Sequence, residues 1–142
     1  MHYHFRIYKE DSGYWASCIE LNGCHSQGDT LEELNSNLEE VLNLYLNEPS
    51  NSKIMFPLPE DDLQGEDIVS VKVDPKIAFA NCLRMIRVKH KMSQKEVAEK
   101  LGYKSIWAYQ KLETSSKTNP ELKTISKIKE VFPDFDLNYV LT

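Results

Sequence analysis

Several side chains near the middle of the second half of this sequence are suited to contact nucleic acid. The amide of Gln110 can pair with adenine through two hydrogen bonds, and Lys111 can donate to guanine. Ile106 and Trp107 can pack on a thymine methyl group or on a sugar edge, although a tryptophan is equally suited to a domain or dimer contact. Phosphate contacts are expected from Lys95, Lys104, Ser115 and Lys117, with a solvated surface as the alternative for each lysine.

A second group of side chains is acidic and lies in the first half of the chain. Residues 1–75 carry 4 Lys and Arg against 15 Asp and Glu, a formal net charge of −11. Residues 76–142 carry 13 against 7, a net charge of +6. This asymmetry indicates two modules with oppositely charged partners, and nucleic acid is the usual polyanion.

Neither half carries a pattern typical of an active site. Two-metal nucleases gather carboxylates around metals about 4 Å apart, but residues 2–8 contain none, and Glu10, Asp11, Glu20 and Asp29 fall at turns and element ends. The three cysteines lack the C-x-x-C spacing of a zinc site, and their odd number indicates no disulfide framework. We therefore expect no enzyme, no cofactor and no metal.

The location of the protein is inferred from what the sequence lacks. Its apolar runs are much shorter than the roughly 18 residues of a membrane span, and Met1 leads directly into a strand-like stretch without a signal peptide. We expect a cytoplasmic protein with no membrane partner.

The first half predicts a mixed α and β domain. Alternating residues at 2–8 and an aromatic-rich stretch at 14–21 predict a hairpin, and a short third strand follows at 24–27. Between residues 30 and 48 apolar side chains recur every three or four positions, and Thr30 with Glu33 forms a capping box. Residues 49–67 form an extended acidic connection, and residues 68–73 alternate again, which gives the order β-β-β-α-β.

The second half predicts only helices. The first predicted helix covers residues 77–90, and the second begins at the capping box of Ser93 and Glu96 and ends at Gly102. The third covers residues 105–113, and the fourth runs from Asn119-Pro120 to residue 132. The change of class near Pro75 coincides with the change of charge. The chain is therefore predicted as α+β, with domains at residues 1–74 and 75–142.

The helical half resembles the Xre/Cro-like repressor family. The resemblance is carried by residues 92–102 (MSQKEVAEKLG), by residues 109–113, and by Asn119-Pro120 with Leu122 and Ile125. It implies a DNA-binding helix-turn-helix in which Gln94 contacts a phosphate. It also implies that five residues face outward from the recognition helix: Ser105, Ile106, Trp107, Gln110 and Lys111. Residues 102–113 are one residue longer than in many phage-type repressors, which leaves the register at 103–107 open.

The first half is similar to the HicB antitoxin family. The shared residues are 13–16 (GYWA), 20–24 (ELNGC), 27–34 (QGDTLEEL) and Asn37-Leu38, with departures at Asn22 and Leu34. The resemblance implies a degenerate ribonuclease-H-like fold that binds HicA, a small basic RNA-cleaving toxin. An acidic module would speed capture of such a toxin by electrostatic steering. The candidate toxin contacts are Glu10, Asp11, Trp15, Glu20, Glu32 and Glu39.

Together these features predict an antitoxin that neutralises a HicA-like toxin and represses its own operon by binding operator DNA. We expect a homodimer or higher oligomer, and the apolar tail at residues 135–141 either dimerises or covers its own domain. One alternative is an Xre-type repressor whose first domain senses a small ligand. Another is an RNA-processing enzyme.

Overall fold

The computed structural model describes residues 1–61 and 63–142, which form two compact units. The first unit comprises Met1–Asn47 and Phe56–Asp74, and the second comprises Glu48–Met55 and Pro75–Thr142. Residues 48–55 thus belong to the helical unit, although all of residues 49–67 were predicted to lie in the first domain. Asp62, within that predicted connection, lies outside the described residues.

The described part of the first unit contains a four-stranded antiparallel sheet in the order β3-β2-β1-β4. Its strands are β1 (His2–Glu10), β2 (Gly13–Cys18), β3 (His25–Gly28) and β4 (Ile68–Lys72). The central strand β1 pairs with both neighbours, so that Phe5 stands opposite Cys18 on one side and Val69 on the other. The predicted hairpin of β1 and β2 is confirmed.

Helix α1 (Leu31–Leu46) lies against this sheet and supplies much of the core of the first unit. Its buried face consists of leucines four residues apart, at positions 34, 38, 42 and 46. The hydroxyl of Thr30 accepts from the Glu33 amide at 3.1 Å, while the Glu33 carboxylate accepts from the Asp29 amide at 3.2 Å. These two bonds satisfy free donors at the helix start. Tyr3 and Phe5 of β1 are buried in the same core.

The second unit is helical, as expected, so the overall α+β class is confirmed. Its helices are α2 (Pro75–Lys89), α3 (Gln94–Lys100), α4 (Ile106–Gln110), α5 (Leu122–Val131) and α6 (Leu137–Leu141), with a 3-10 turn at Lys111–Glu113. The start of α5 differs from the expected Asn119-Pro120, because its first helical hydrogen bond runs from the Ile125 amide to the Glu121 carbonyl. Glu121 is therefore the N-cap residue.

The apolar tail packs on its own unit. Phe135 is buried and meets the ring of Phe79 edge to face, with centroids 5.7 Å apart. Val140 of α6 is also buried, whereas Leu141 is exposed. The tail therefore contributes to the core beneath α2, which favours the capping alternative for Phe135 and Val140.

Candidate nucleic-acid interface and acidic surface

Helices α3 and α4 form the predicted helix-turn-helix. The capping box at the start of α3 is confirmed, since Ser93 Oγ accepts from the Glu96 amide at 3.1 Å and the Glu96 carboxylate accepts from the Ser93 amide at 3.3 Å. Val97 and Ala98 of α3 are buried, as expected. The chain then turns at Gly102, whose φ of +79° favours glycine.

The recognition segment is shorter than predicted. Residues 105–113 were expected to form one helix, but Ser105 is the N-cap of α4, its hydroxyl accepting from the Ala108 amide at 3.4 Å. Helix α4 ends at Gln110, and the chain tightens into the 3-10 turn Lys111–Glu113. Tyr109 and Leu112 are buried, as expected, so the segment presents a defined outer face.

That outer face is both apolar and basic. Ile106 is 42% exposed and Trp107 is 58% exposed. The ammonium of Lys111 lies 3.8 Å from the centroid of the Trp107 ring, which is close enough for a cation–π interaction. Exposed Ser105 begins the same segment. The structure thus brings together four of the five residues expected to face outward, and Lys111 is held on Trp107.

The fifth residue, Gln110, belongs to a half-buried pair of amides. Its Nε2 donates to Gln94 Oε1 at 3.1 Å. In turn, Gln94 Nε2 donates to the Ser50 carbonyl at 2.8 Å and lies 3.4 Å from Glu113 Oε1. Gln94 was expected to donate to a phosphate, but in this structure its amide group is engaged within the second unit.

An ion pair beneath this surface has no signature in the sequence. Arg87 Nε and Nη2 donate to the two oxygens of Glu113 at 2.7 and 3.0 Å, and Nη1 donates to the Met92 carbonyl at 3.0 Å. The Glu113 side chain is completely buried. Burial opposes the charge of Arg87, but the hydrogen bond and negative charge of Glu113 outweigh burial and raise the Arg87 pKa. Burial, followed by the Glu113 charge, also raises the pKa of Tyr109.

The remaining expected phosphate contacts divide into exposed and buried residues. Lys95, Lys104 and Lys117 are exposed, and Lys117 lines a cavity of about 430 Å³ together with Lys111, Lys123 and Lys127. Ser115 is only 4% exposed, and its hydroxyl has no hydrogen-bond partner among the described residues. The lysines are thus available to a polyanion in this structure, whereas Ser115 is enclosed.

Most of the expected toxin contacts lie on the surface of the first unit. Glu10 and Asp11 are exposed at the β1–β2 turn, and Glu32 and Glu39 are exposed on α1. Trp15 is half-buried and stacks on Tyr8 with ring centroids 4.3 Å apart. These five side chains remain candidates for a basic partner.

Glu20 differs from the other five. Its side chain is 2% exposed, and its carboxylate accepts from the His4 amide at 2.9 Å, from the Glu60 amide at 3.1 Å and contacts His4 Nδ1 at 2.7 Å. Cys18 Sγ lies 3.7 Å away. Glu20 was expected among the toxin contacts, but in this structure its side chain is enclosed and ties β1 to the connection that precedes β4.

In the described part of the chain, no three His, Cys, Asp or Glu side chains converge as metal ligands, and the three cysteines form no disulfide. Among the same residues, no helix has the length and apolar character needed to cross a bilayer.

Comparison with known proteins finds two kinds of match, a family model and individual relatives. A helix-turn-helix family model matches residues 83–139. Two UPF0150 proteins of Synechocystis sp. are 47% identical over 53 residues and 38% identical over 55, and a UPF0150 protein of Helicobacter pylori is 38% identical over 50. These matches cover 37%, 39% and 35% of this chain, and 65%, 75% and 69% of the respective relatives. The chain thus spans about two thirds of the length of these relatives.

Proposed function

The chain belongs to the UPF0150 family and carries a helix-turn-helix domain, and from this premise we propose that it is a DNA-binding antitoxin of the HicA/HicB type. In this proposal the second unit represses the operon by binding operator DNA. The first unit, a degenerate ribonuclease-H-like domain, sequesters a small basic RNA-cleaving toxin. The protein acts by binding, so metal-dependent RNA cleavage by the purified chain alone would contradict the proposal.

The observation that carries the DNA-binding proposal is the outer face of the recognition segment. Ile106, Trp107 and Lys111 are exposed there beside Gln110, on a segment that buried Tyr109 and Leu112 fix to the unit. A short helix presented in this way can enter the major groove, where base edges carry a distinct pattern of donors and acceptors.

Each side chain then has a defined role. The Gln110 amide reads adenine and the Lys111 ammonium donates to guanine, while Ile106 and Trp107 contact thymine methyl groups or sugars. The exposed lysines Lys95, Lys104 and Lys117 contact the phosphate backbone. We expect the protein to bind as a dimer, because two recognition helices about one DNA turn apart match the two half-sites of an operator.

Fluorescence anisotropy tests this role. We expect the full chain to bind DNA from upstream of its own coding region at least about 1,000-fold more tightly than random DNA. The affinity for both DNAs should fall steeply between 50 and 200 mM salt, as phosphate contacts require. Equal affinity for the two DNAs at every salt concentration would contradict a role as an operator-specific regulator.

The toxin-binding role is supported by the charge and exposure of the first unit. Residues 1–75 carry a net charge of −11, and four exposed carboxylates lie on the β1–β2 turn and on α1, at positions 10, 11, 32 and 39. An acidic surface attracts a basic nuclease over distances up to about a Debye length, which grows as the salt concentration falls, and so raises its association rate. Covering the RNA site of the toxin would then inhibit it.

Co-expression with the neighbouring small open reading frame tests this second role. We expect a stable complex and relief of growth arrest. The double variant Glu10→Lys/Asp11→Lys should slow association about tenfold at low salt. The matched control Glu121→Lys/Glu130→Lys makes the same change of charge at exposed positions of the second unit. Equal association rates for both double variants would remove the β1–β2 turn from the toxin surface.

A further inference from the structure

We infer that the segment Glu48–Met55, here called the strap, positions a base-reading side chain of the second unit. The carbonyl of Ser50 in the strap orients the amide of Gln94, and Gln94 orients the amide of Gln110 that faces the DNA. This inference rests on the proposed function. It assigns a positioning role in base readout to a segment that lies outside the helix-turn-helix in the sequence.

The strap is held in a defined conformation within the second unit. The Ser52 amide donates to the Pro49 carbonyl at 3.0 Å, and the Ile54 amide donates to Ser52 Oγ at 3.1 Å. Arg84 Nη2 then donates to the Ile54 carbonyl at 3.3 Å and to Asn81 Oδ1 at 3.1 Å. Because Arg84 is completely buried in α2, it fixes the end of the strap to the interior of the unit.

The chemistry of the acceptors determines how the Gln94 amide is turned. The Ser50 carbonyl and the Glu113 carboxylate, itself paired with Arg87, both only accept hydrogen bonds. The nitrogen of the Gln94 amide must therefore face them, and its oxygen must face Gln110. Two acceptor-only groups on one side of the Gln94 amide thus ensure that its oxygen lies on the opposite side, toward Gln110.

The same reasoning extends to Gln110. Since Gln94 presents an oxygen, Gln110 must present its nitrogen, as the distance of 3.1 Å from Nε2 to Oε1 indicates. One N–H and the carbonyl oxygen of Gln110 then remain for the DNA. Adenine offers an acceptor at N7 and a donor at N6, which these two groups match. The donor and acceptor order at the DNA surface is thus set by the strap.

Without the Ser50 carbonyl, the remaining acceptor of the Gln94 amide is Glu113 at the longer distance of 3.4 Å. This longer bond holds the two amides less firmly, so Gln110 presents its donor and acceptor in the adenine-matching order for a smaller fraction of the time. Among the described residues, the lysines assigned to phosphates make no hydrogen bond to the strap. Loosening the strap should therefore reduce discrimination between bases and leave binding to random DNA unchanged.

Two independent full-length variants loosen the strap away from the DNA surface. Arg84→Met removes the hydrogen bond from Nη2 to the Ile54 carbonyl. Arg84 Nε and Nη1 have no hydrogen-bond partner among the described residues, so replacement of this buried charge by an apolar side chain is compatible with folding. Pro49→Gly/Ser52→Gly instead removes the rigid turn. Pro133→Gly, a loss of proline elsewhere in the same unit, is the matched control, and urea denaturation verifies that each variant folds.

The readout is base discrimination on the operator found by footprinting with the wild-type chain. Each A·T pair of the protected half-site is changed in turn to G·C, and the affinity ratio is measured. We expect the most sensitive pair to be discriminated about tenfold by the wild type and the control, and about threefold or less by both strap variants, with affinity for random DNA equal in all four proteins.

Three results would overturn the inference. The first is a folded strap variant that keeps the wild-type discrimination. The second is weaker binding of both strap variants to random DNA, by the same factor as to the operator. The third is tighter operator binding by both variants, which would mean that the strap covers part of the DNA-binding surface. Failure of the proposed function is distinguishable, because in that case the wild-type chain itself would give no footprint and no discrimination.

Discussion

Arg87 and Glu113 form a bidentate ion pair in the interior of the second unit, directly behind the recognition segment. Their two hydrogen bonds measure 2.7 and 3.0 Å, and Glu113 also lies 3.4 Å from the Gln94 amide nitrogen. The pair therefore supports the 3-10 turn that carries Lys111 and the amide pair that carries Gln110. Its integrity should govern both stability and DNA binding.

Removing one partner of this pair should be strongly destabilising. Glu113→Ala leaves the Arg87 guanidinium without its buried counterion, so we expect the free energy of unfolding of the second unit to fall by about 3 to 5 kcal/mol. Urea denaturation followed by circular dichroism measures this loss. The double variant Arg87→Met/Glu113→Leu leaves no unpaired charge and should lose less. A double variant that is less stable than Glu113→Ala would contradict this explanation.

Lys111 should contribute directly to base discrimination. Its ammonium lies on the Trp107 ring at the exposed face of the recognition segment, where we propose that it donates to guanine. For Lys111→Met we expect weaker operator binding and a loss of about fivefold or more in discrimination at one G·C pair, measured by fluorescence anisotropy. Lys100→Met, at an exposed position near the end of α3, is the control and should keep the wild-type discrimination. Unchanged discrimination for Lys111→Met would remove this lysine from base readout.

Gly28 should tolerate no side chain, because α1 starts against its backbone. A Cβ at Gly28 would lie 2.5 Å from the Leu34 amide nitrogen and 2.9 Å from its Cα. We expect Gly28→Ala to reduce the stability of the first unit by about 1 to 3 kcal/mol or more, measured by chemical denaturation. Gly23→Asn, at a φ of +81° with open space around the Cβ, is the control and should cost much less. Equal losses would contradict the close approach.

The stability of the first unit should fall as the pH drops through the range in which His2 titrates. Burial, together with positive neighbours such as Lys72, lowers the pKa of His2 below its ordinary value of 6.5. The unfolded chain therefore binds this proton more readily than the folded chain, and stability present above pH 6.5 is lost below it. Urea denaturation at pH 7.5 and 5.5 should show a smaller pH effect for His2→Gln than for the wild type. An equal pH effect in both proteins would assign the titration to other groups.

The sequence predicted those features that depend on neighbouring residues. The strand at residues 2–8, the leucine spacing of α1, the Ser93 capping box and the turn at Gly102 all reflect local preferences, and the structure contains each of them. The alternation expected along that strand is incomplete, because His4 is buried together with Tyr3 and Phe5. The outward position of Trp107 and Lys111 was implied by the resemblance to Xre/Cro-like repressors, and both side chains are exposed in the structure.

Features that depend on distant pairs were not predictable. Glu20 was expected to contact a toxin, but its side chain is buried against His4 and Glu60, which lie 16 and 40 residues away. Arg87 and Glu113 are 26 residues apart, and Gln94 is 44 residues from Ser50. Whether a charged or polar side chain is buried depends on which segments pack together, and local pattern carries little information about that packing.

The proposed DNA-binding role depends most directly on Gln110 reading adenine in the major groove. Each operator adenine is replaced in turn with 7-deaza-adenine, which lacks the N7 acceptor, and affinity is measured by fluorescence anisotropy. We predict that one adenine in each half-site is sensitive, that the wild-type chain loses about fivefold or more in affinity there, and that Gln110→Ala is insensitive to the same replacement. Adenine readout by Gln110 would be contradicted if no position were sensitive, or if Gln110→Ala kept the full sensitivity of the wild type.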